Sequence, residues 1–294
     1  MAAINLFAGG VMKTIGVVGA GVMGKGVAQC LVENGYLVDI YDTDSNVLGR
    51  VLDDINRNIK TQNLFSKTEK INPGDICDRI MIGSDLSCVS RHPFIIESIT
   101  EDIDIKKSLY LKLGDICTEK SIIMSNTSCI SITMLGSFTP MPERVIGVHF
   151  MNPVPMIQAV EVIRGLHTSE DTINKVRILI ESLHKELFLV KDLPGFVSNR
   201  ISHLMMNEAA TIVLHDSLAS AETVDNIFKK CYGHKMGPLE TADLIGLDVV
   251  VKSLKVLYDY FQDQKYKCCP LLEDMVKKNL LGRKSGQGFY KYGL

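Results

Sequence analysis

The hydrophobic positions of this chain fall into short apolar runs, typical of buried strands, and longer stretches at helical spacing. Ile15, Val17 and Val18 form the first run, and residues 23–32 continue at helical spacing until Asn34-Gly35 ends the helix. Further strands are predicted at residues 36–42, 80–82, 94–97, 121–126, 144–150, 158–163 and 187–190, and further helices at residues 46–61, 104–117 and 168–183. This alternation predicts an α/β fold with a doubly wound, mostly parallel sheet.

A second pattern begins after Asp192-Leu-Pro-Gly195, where Pro and Gly interrupt regular structure. The later apolar stretches have helical spacing, with helices predicted at residues 196–216, 222–232, 245–261 and 271–281. Residues 61–75 form a polar excursion within the first part. The sequence therefore predicts a sheet domain at residues 12–193 and an all-helical C-terminal domain at residues 194–294.

The turn between the first strand and the first helix carries the spacing G-x-G-x-x-G. Gly19 allows a tight turn, Gly21 lets backbone N–H groups approach a pyrophosphate, and Gly24 permits close packing of helix and strand. An ordinary strand-helix turn can have the same spacing, so the motif alone is weak evidence. The residues expected to hold a dinucleotide here are Gly19, Ala20, Gly21, Val22, Met23 and Gly24.

The second predicted strand ends on Asp42, at roughly the ~20-residue offset where an acidic side chain accepts ribose hydroxyls. No Arg or Lys follows at residues 43–45, and a carboxylate there repels a 2'-phosphate. The alternative for Asp42 is a turn or helix-capping residue. Together the glycine loop and Asp42 predict a Rossmann-type domain that binds NAD rather than NADP.

Polar groups follow three of the later strands, at residues 97–101, at residues 126–128 and at His149. The carboxyl ends of parallel strands border the ligand crevice of such a sheet. A turn at Asn152-Pro-Val-Pro155 then returns the chain into a strand that carries Glu161, so Glu161 can meet His149. The alternative for Glu161 is a solvent-facing carboxylate on an edge strand.

Composition narrows the class of protein. The chain has 294 residues, of which 46% are hydrophobic and 22% charged, as is ordinary for a globular protein with a large core. The net charge is −2 and the sequence has no Lys/Arg cluster, so its charge does not indicate binding to nucleic acid or to an anionic membrane. No run approaches the ~18 apolar residues of a transmembrane helix. Residues 1–11 lack the basic region of a signal peptide and are interpreted as a leader or tag remnant.

The cysteines are scattered, without a C-x-x-C pair and without His partners at metal-ligand spacing. They are Cys30, Cys77, Cys88, Cys117, Cys129, Cys231, Cys268 and Cys269. This pattern predicts reduced thiols in a cytoplasmic protein. We expect neither a metal site nor a catalytic cysteine.

Several longer motifs together resemble one enzyme family. They are Gly19-Ala-Gly-Val-Met-Gly24, Ser125-Asn-Thr-Ser128, His149-Phe-Met-Asn-Pro-Val-Pro155, Val160-Glu-Val162, Pro194-Gly-Phe-Val-Ser-Asn-Arg200, Met236-Gly-Pro238, Gly246-Leu-Asp248 and Gly282-Arg-Lys-Ser-Gly-Gln-Gly-Phe-Tyr290. With these motifs the chain resembles the short-chain 3-hydroxyacyl-CoA dehydrogenases and is most similar to the bacterial 3-hydroxybutyryl-CoA dehydrogenases. The resemblance implies an NAD-dependent oxidoreductase of fatty acid metabolism that transfers hydride between the 3-hydroxyl carbon of an acyl thioester and NAD.

The resemblance also implies the roles of site residues. His149 is the implied catalytic residue, oriented by Glu161, while Ser128 and Asn199 contact the substrate or hold it in place. The chemistry agrees, because oxidising a secondary alcohol needs a base and imidazole titrates near working pH. Helix capping is the alternative for Asn199. The implied cofactor contacts beyond the glycine loop are Asp42, Glu101, Lys106, Ser128, Asn152 and Lys284, of which the two lysines taken alone would be surface lysines.

The chain departs from the family where the carrier of the acyl group is expected. Asn58, in the segment implied to bind substrate, stands at a usual serine position, while Phe65 and Gln158 stand where lysines are expected and Lys235 replaces a common proline. Loss of positive charge weakens binding of a phosphorylated carrier. The acyl group is therefore expected on CoA or, as the alternative, on the phosphopantetheine of an acyl carrier protein, as in polyketide extender-unit pathways.

Other interpretations stay open at this point. Lys60 or Lys67 could supply the missing charge, which would favour CoA. A non-catalytic relative, such as a lens crystallin related to the family, would keep the fold without the activity. A Rossmann oxidoreductase with a catalytic lysine on the long inter-domain helix is disfavoured, since that helix offers Asn199 and Arg200 instead. The apolar faces of the helical domain predict that it binds substrate and forms a homodimer.

Overall fold

The structure of the protein, a computed structural model, describes residues 14–65, 72–216 and 219–293. The expected leader at residues 1–11, Lys67 and the side chain of Phe65 lie outside what is described. Contacts along the chain group it into two compact units, residues 1–192 and residues 193–294. The roles expected for the two domains stay predictions.

The first unit is built on one sheet. Its described strands are β1 (Thr14–Val18), β2 (Leu37–Tyr41), β3 (Ile80–Gly83), β4 (Phe94–Glu97), β5 (Ile122–Ser125), β6 (Val145–Phe150), β7 (Ala159–Arg164) and β8 (Glu186–Lys191). They lie in the order β3-β2-β1-β4-β5-β6-β7-β8. The pair of β6 and β7 is antiparallel, and the other described pairs are parallel. The predicted doubly wound, mostly parallel sheet is confirmed.

Helices flank this sheet. Those described in the first unit are α1 (Val22–Glu33), α2 (Ser45–Leu48), α3 (Val51–Phe65), α4 (Pro73–Cys77), α5 (Ile103–Ile116), α6 (Ile132–Gly136) and α7 (Glu170–Ser182). The single helix predicted at residues 46–61 is wrong, because Asp44 caps a separate short helix that ends at Leu48. The short helices α4 and α6 were not predicted. They depend on caps from Asn72 and Ser131 rather than on apolar periodicity.

The core of the first unit lies on both faces of the central strands. Ile15, Val17, Ile96, Met124 and Val148 have no exposed surface. Burying each such side chain contributes roughly 1.5–3 kcal/mol, and a strand covered on both faces needs apolar residues at successive positions. This packing fixes the carboxyl ends of neighbouring strands, where the polar groups of the site lie.

The second unit is all-helical, as predicted. Its described helices are α8 (Ser198–Asp216), α9 (Ala221–Cys231), α10 (Pro238–Ile245), α11 (Leu247–Phe261) and α12 (Pro270–Lys277). Helix α10 was not predicted, and it begins at Pro238, which favours the first turn of a helix. Two fully buried carboxylates tie its segments together: Asp225 accepts from the N–H of Leu239 at 2.9 Å, and Asp243 accepts from that of Phe289 at 3.0 Å.

A helix that spans a membrane must be both long and apolar. Among the described residues, no helix is long and apolar enough to cross a bilayer.

Candidate active site

The glycine turn after β1 has the backbone that its spacing predicts. Gly19 has a φ of +99°, and a Cβ there would lie 2.7 Å from the carbonyl oxygen of Ser98. A Cβ on Gly24 would lie 1.8 Å from the carbonyl oxygen of Gly19, so this position also excludes a side chain. A Cβ on Gly21, in contrast, would meet nothing within 4 Å. The fold therefore requires Gly19 and Gly24, whereas Gly21 leaves open space in front of the N-terminus of α1, where a pyrophosphate fits.

Asp42 lies directly beside this loop. One carboxylate oxygen accepts from the N–H of Ala20 at 2.7 Å, and the other accepts from the N–H of Asp44 at 2.9 Å. Asp42 therefore makes a turn contact, as its alternative interpretation predicted, and also fixes the loop. The carboxylate is held in place before any ribose arrives.

A cavity of about 720 Å³ opens between the loop and α5. Its lining includes Gly19, Gly21, Asp42, Asp44, Val47, Leu86, Ser98, Ile99, Thr100, Ile105, Leu109 and Lys112. The loop, the acidic ribose position and the apolar walls beyond it together match the adenosine half of a dinucleotide. The residues present therefore fit NAD.

A buried charged cluster is linked to this cavity through Ile99, which lines it. Glu97, the last residue of β4, has one carboxylate oxygen that accepts from Lys106 and from the N–H of Ile99 at 2.9 Å. Its other oxygen accepts from the hydroxyl of Ser125 at 2.7 Å and from that of Tyr110 at 3.4 Å. Glu97 and Lys106 are fully buried. The interpretation of Lys106 as a surface lysine is therefore wrong.

Glu101 connects this cluster to the loop that carries Ser128. Its carboxylate lies 3.6 Å from the ammonium of Lys106 and accepts from the hydroxyl of Thr127 at 2.5 Å. The same oxygen accepts from the N–H groups of Ser128 at 2.8 Å and Cys129 at 3.0 Å. Burial acts to raise the pKa of Glu101, but the attraction of Lys106 and these hydrogen bonds outweigh it, so the pKa is lowered.

The pKa of Cys129, in the same loop, is shifted in the opposite direction. Burial, and after it the charge of Glu101, raises the pKa of the Cys129 thiol to about 12. The Cys129 thiol is therefore protonated at neutral pH.

His149 and Glu161 meet across the antiparallel pair of β6 and β7. They are register partners, and Nδ1 of His149 lies 3.2 Å from a carboxylate oxygen of Glu161. Both are buried, with 5% and 7% of their surface exposed. Strand β8 covers the outer side of β7, so the interpretation of Glu161 as an edge-strand carboxylate is wrong. An ionised carboxylate only accepts hydrogen bonds, so this contact favours the tautomer with the proton on Nδ1.

A second cavity, of about 430 Å³, lies between α1, α3 and the turn after β6. The residues that line it are Val22, Gly26, Gln29, Asn58, Thr61, Gln62, Asn152, Pro153, Val154, Pro155 and Met156. Asn58, Asn152 and Val22 are thus brought together from separate elements. None of the described lining residues carries a charge, so hydrogen bonding and apolar contact dominate this cavity.

Two predicted site residues belong to the second unit. Asn199 is the second residue of α8, and Lys284 pairs with Asp248. Their roles stay predictions. Within the described ranges, no group of His, Cys, Asp and Glu side chains is arranged to hold a metal ion.

For three residues of the site, the burial that the structure shows was not predicted from the sequence. Lys106 shares a helical face with Leu109, Tyr110 and Leu113, and that spacing was a signal that its ammonium is buried and paired. Glu97 ends an apolar strand, which is a weaker signal of the same kind. Lys185 is buried against backbone carbonyl groups, and no sequence pattern indicates this.

Comparison with known proteins agrees with this geometry. The family model for the 3-hydroxyacyl-CoA dehydrogenase NAD binding domain matches residues 14–193, and that for the 3-hydroxyacyl-CoA dehydrogenase C-terminal domain matches residues 195–292. A probable 3-hydroxybutyryl-CoA dehydrogenase of Bacillus subtilis is 40% identical over 281 residues, which cover 96% of this chain and 98% of the relative. One from Deinococcus radiodurans is 42% identical, covering 94% of this chain and 99% of that protein.

Solved structures give the same result. The crystal structure of (S)-3-hydroxybutyryl-CoA dehydrogenase from Ralstonia eutropha has a TM-score of 0.88 and 38% identity, covering 97% of this chain and all of that chain (100%). FadB2 of M. tuberculosis has a TM-score of 0.92 and 30% identity, covering 96% of this chain and 100% of its own.

Proposed function

The chain belongs to the 3-hydroxyacyl-CoA dehydrogenase family of NAD-dependent oxidoreductases that act on CH–OH groups, and we propose that its substrate is a short 3-hydroxyacyl-CoA such as 3-hydroxybutyryl-CoA. The observation that carries the proposal is the buried contact of His149 with Glu161 at the end of β6. Relatives named for 3-hydroxybutyryl-CoA support the short acyl chain.

In this proposal His149 takes the proton of the 3-hydroxyl group through Nε2. Glu161 holds the Nδ1 proton, so that Nε2 is the basic nitrogen, and stabilises the imidazolium as it forms. The glycine loop and Asp42 would hold NAD, which would supply the acceptor for the hydride of the carbon that bears the 3-hydroxyl group. Ser128 and Asn199 orient the substrate oxygen. Because His149 and Glu161 lie on paired strands, the distance between their side chains is fixed before the substrate binds.

The remaining predicted roles group around the two cavities. The glycine loop and Asp42 hold the adenosine and pyrophosphate of NAD. Glu101 and Lys106 belong to the same cofactor site, and Glu101 also holds the Ser128 loop. Asn152 and Lys284 complete the cofactor contacts. Asn58 contributes to the cavity that takes the carrier arm of the thioester.

The test is substitution of the proposed base. His149→Ala should lower kcat for acetoacetyl-CoA reduction by about 10²–10⁴-fold, which is the usual contribution of a general acid–base group. Binding of NADH should change little, because the adenosine cavity is untouched. The matched control is His167→Ala, since His167 is an exposed histidine of the same unit. A His149→Ala protein as active as the wild type would refute the assignment, and a wild-type protein that binds NADH without turnover would indicate a non-catalytic relative.

A second candidate substrate is a hydroxyacyl group on an acyl carrier protein. The specific support is the neutral lining of the second cavity, which suits the amides of a phosphopantetheine arm and offers no cation to a nucleotide phosphate. Comparing NADH oxidation with acetoacetyl-CoA and with a 3-oxoacyl carrier protein decides between the carriers. Fast turnover of the CoA ester at micromolar concentration would remove the carrier-protein candidate.

We also propose that the protein is a homodimer formed through its C-terminal helices. Apolar side chains of this unit are exposed at Ile201 (63%), Tyr232 (70%) and Tyr260 (59%). Contiguous exposed apolar patches mark contact sites, and we propose that these side chains contribute to one. Sedimentation velocity should give twice the chain mass of 32.6 kDa, and a monomer at micromolar concentration would contradict the proposal.

A further inference from the structure

We propose that Lys185 is a positioning residue that sets one wall of the second cavity and so controls the KM for the thioester without touching it. The inference rests on the proposed function, because it requires the carrier arm to lie in that cavity. It holds for CoA and for a carrier protein alike, since both present the same arm.

The side chain of Lys185 is buried. It lies just before β8, and only 5% of its surface is exposed. Its ammonium donates to the carbonyl oxygens of Val154 at 2.7 Å and Ile157 at 2.6 Å. Burial raises the pKa of the nearby Cys30 thiol of α1, and the charge of Lys185 acts to lower it. None of the ion pairs among the described residues includes Lys185. Glu33 attracts this ammonium from beyond ion-pair distance. Desolvating an ammonium without a direct carboxylate contact is costly, so the carbonyl contacts must be well formed.

These two carbonyl groups bracket the tip of the turn after β6. Pro155 and Met156, which lie between them, face the second cavity. Val154 is 1% exposed, and a Cβ on Gly26 of α1 would lie 3.2 Å from its side chain. The turn therefore packs directly on α1. A single ammonium that holds both carbonyls fixes how far the turn stands from α1.

Removing the ammonium should move the turn more than the reacting groups. The buried carbonyl of Val154 and the part-buried carbonyl of Ile157 would lose their donor, and an unsatisfied buried acceptor drives the backbone to relax. His149 and Glu161 are held by the ladder of β6 and β7 instead. We therefore expect the wall of the cavity to shift while the proton-transfer geometry stays in place.

The experiment compares two thioesters on Lys185→Met. Acetoacetyl-CoA fills the cavity, whereas acetoacetyl-N-acetylcysteamine lacks most of the carrier arm. The KM for the CoA ester should rise about tenfold, which corresponds to 1.4 kcal/mol, with kcat within about threefold of the wild type. The kcat/KM for the short thioester should stay unchanged. The control is Lys175→Met, because Lys175 is exposed on α7 and pairs only with the surface residue Asp171 among the described ion pairs.

An unchanged KM for acetoacetyl-CoA, or an equal fall in kcat/KM for both thioesters, overturns the inference. If Lys185→Met does not fold, Lys185→Arg is measured instead. Its planar fork keeps the charge but cannot place its donors where the ammonium does, so the KM for the CoA ester should still rise at least about threefold. An unchanged KM for Lys185→Arg then overturns the inference. A wild-type protein that reduces neither thioester refutes the proposed function itself.

Discussion

Breaking the buried ion pair of Glu97 and Lys106 should destabilise the protein far more than breaking a surface pair. Both side chains are fully buried, and after Glu97→Gln the ammonium keeps only the carboxylate of Glu101, at 3.6 Å, among its described ion pairs. Removing one partner of a buried pair costs about 3–5 kcal/mol, because a charge is left without full compensation. For a unit of this size that corresponds to a fall in Tm of roughly 6–20 °C.

The assay is urea unfolding followed by circular dichroism, since the chain has no Trp to serve as a fluorescence probe. The control is Glu143→Gln, because Glu143 pairs with Arg144 at the surface with 49% of its side chain exposed. That control should change the free energy of unfolding by less than about 0.5 kcal/mol.

The double variant Glu97→Gln/Lys106→Met separates charge from packing. It removes both charges and keeps similar volume, so it should recover much of the stability lost in the single variant. A loss below about 1 kcal/mol in Glu97→Gln would show that the pair behaves as a solvated one. A double variant no more stable than the single one would show that packing, not charge, explains the loss.

Three further predictions test other parts of the site. Gly21→Ala should keep the wild-type Tm but raise the KM for NAD about tenfold or more, because its Cβ would occupy the space where the pyrophosphate fits. Gly24→Ala should lower the Tm, because its Cβ would clash with the backbone of Gly19. Equal Tm values for the two variants would contradict this. Cys129, with a pKa of about 12, should be alkylated by iodoacetamide at pH 8 far more slowly than the exposed Cys231, as measured by peptide mass spectrometry. Because the pKa of Glu101 is lowered in the folded protein, its carboxylate stabilises the fold at a pH above the ordinary pKa of 4.5. This stability is lost as the pH falls through the folded pKa. Glu101→Gln should therefore flatten the acid side of a plot of unfolding free energy against pH.

The parts of this molecule that follow local rules could be predicted from its sequence. The glycine loop depends on the geometry of a tight turn, and the position of Asp42 depends on the length of β2. Both leave a recognisable pattern in the sequence. The contact of His149 with Glu161 was predictable because a short turn joins their strands, and an antiparallel register follows from that turn.

The contacts that could not be predicted join side chains to distant backbone. The acceptors of Lys185 are the carbonyl groups of Val154 and Ile157, and every residue has such a group. Glu101 holds the N–H groups of Ser128 and Cys129 in the same way. Sequence patterns carry side-chain identity, so they are silent about partners that are backbone atoms.

In the first unit, two buried lysines have structural contacts, whereas the second cavity has an uncharged lining. Lys106 and Lys185 are buried and hold structure, while the cavity expected to take the carrier arm has a neutral lining. Because a neutral cavity gains little from long-range attraction, its selectivity must come from shape and from hydrogen bonds to amides. Selectivity by shape requires that the walls of the cavity stay at a fixed separation. The turn after β6 forms one wall, and its described residues belong to no strand whose hydrogen bonds would fix its position. A buried cation behind that turn supplies the missing constraint, which explains why charge lies behind the cavity rather than inside it.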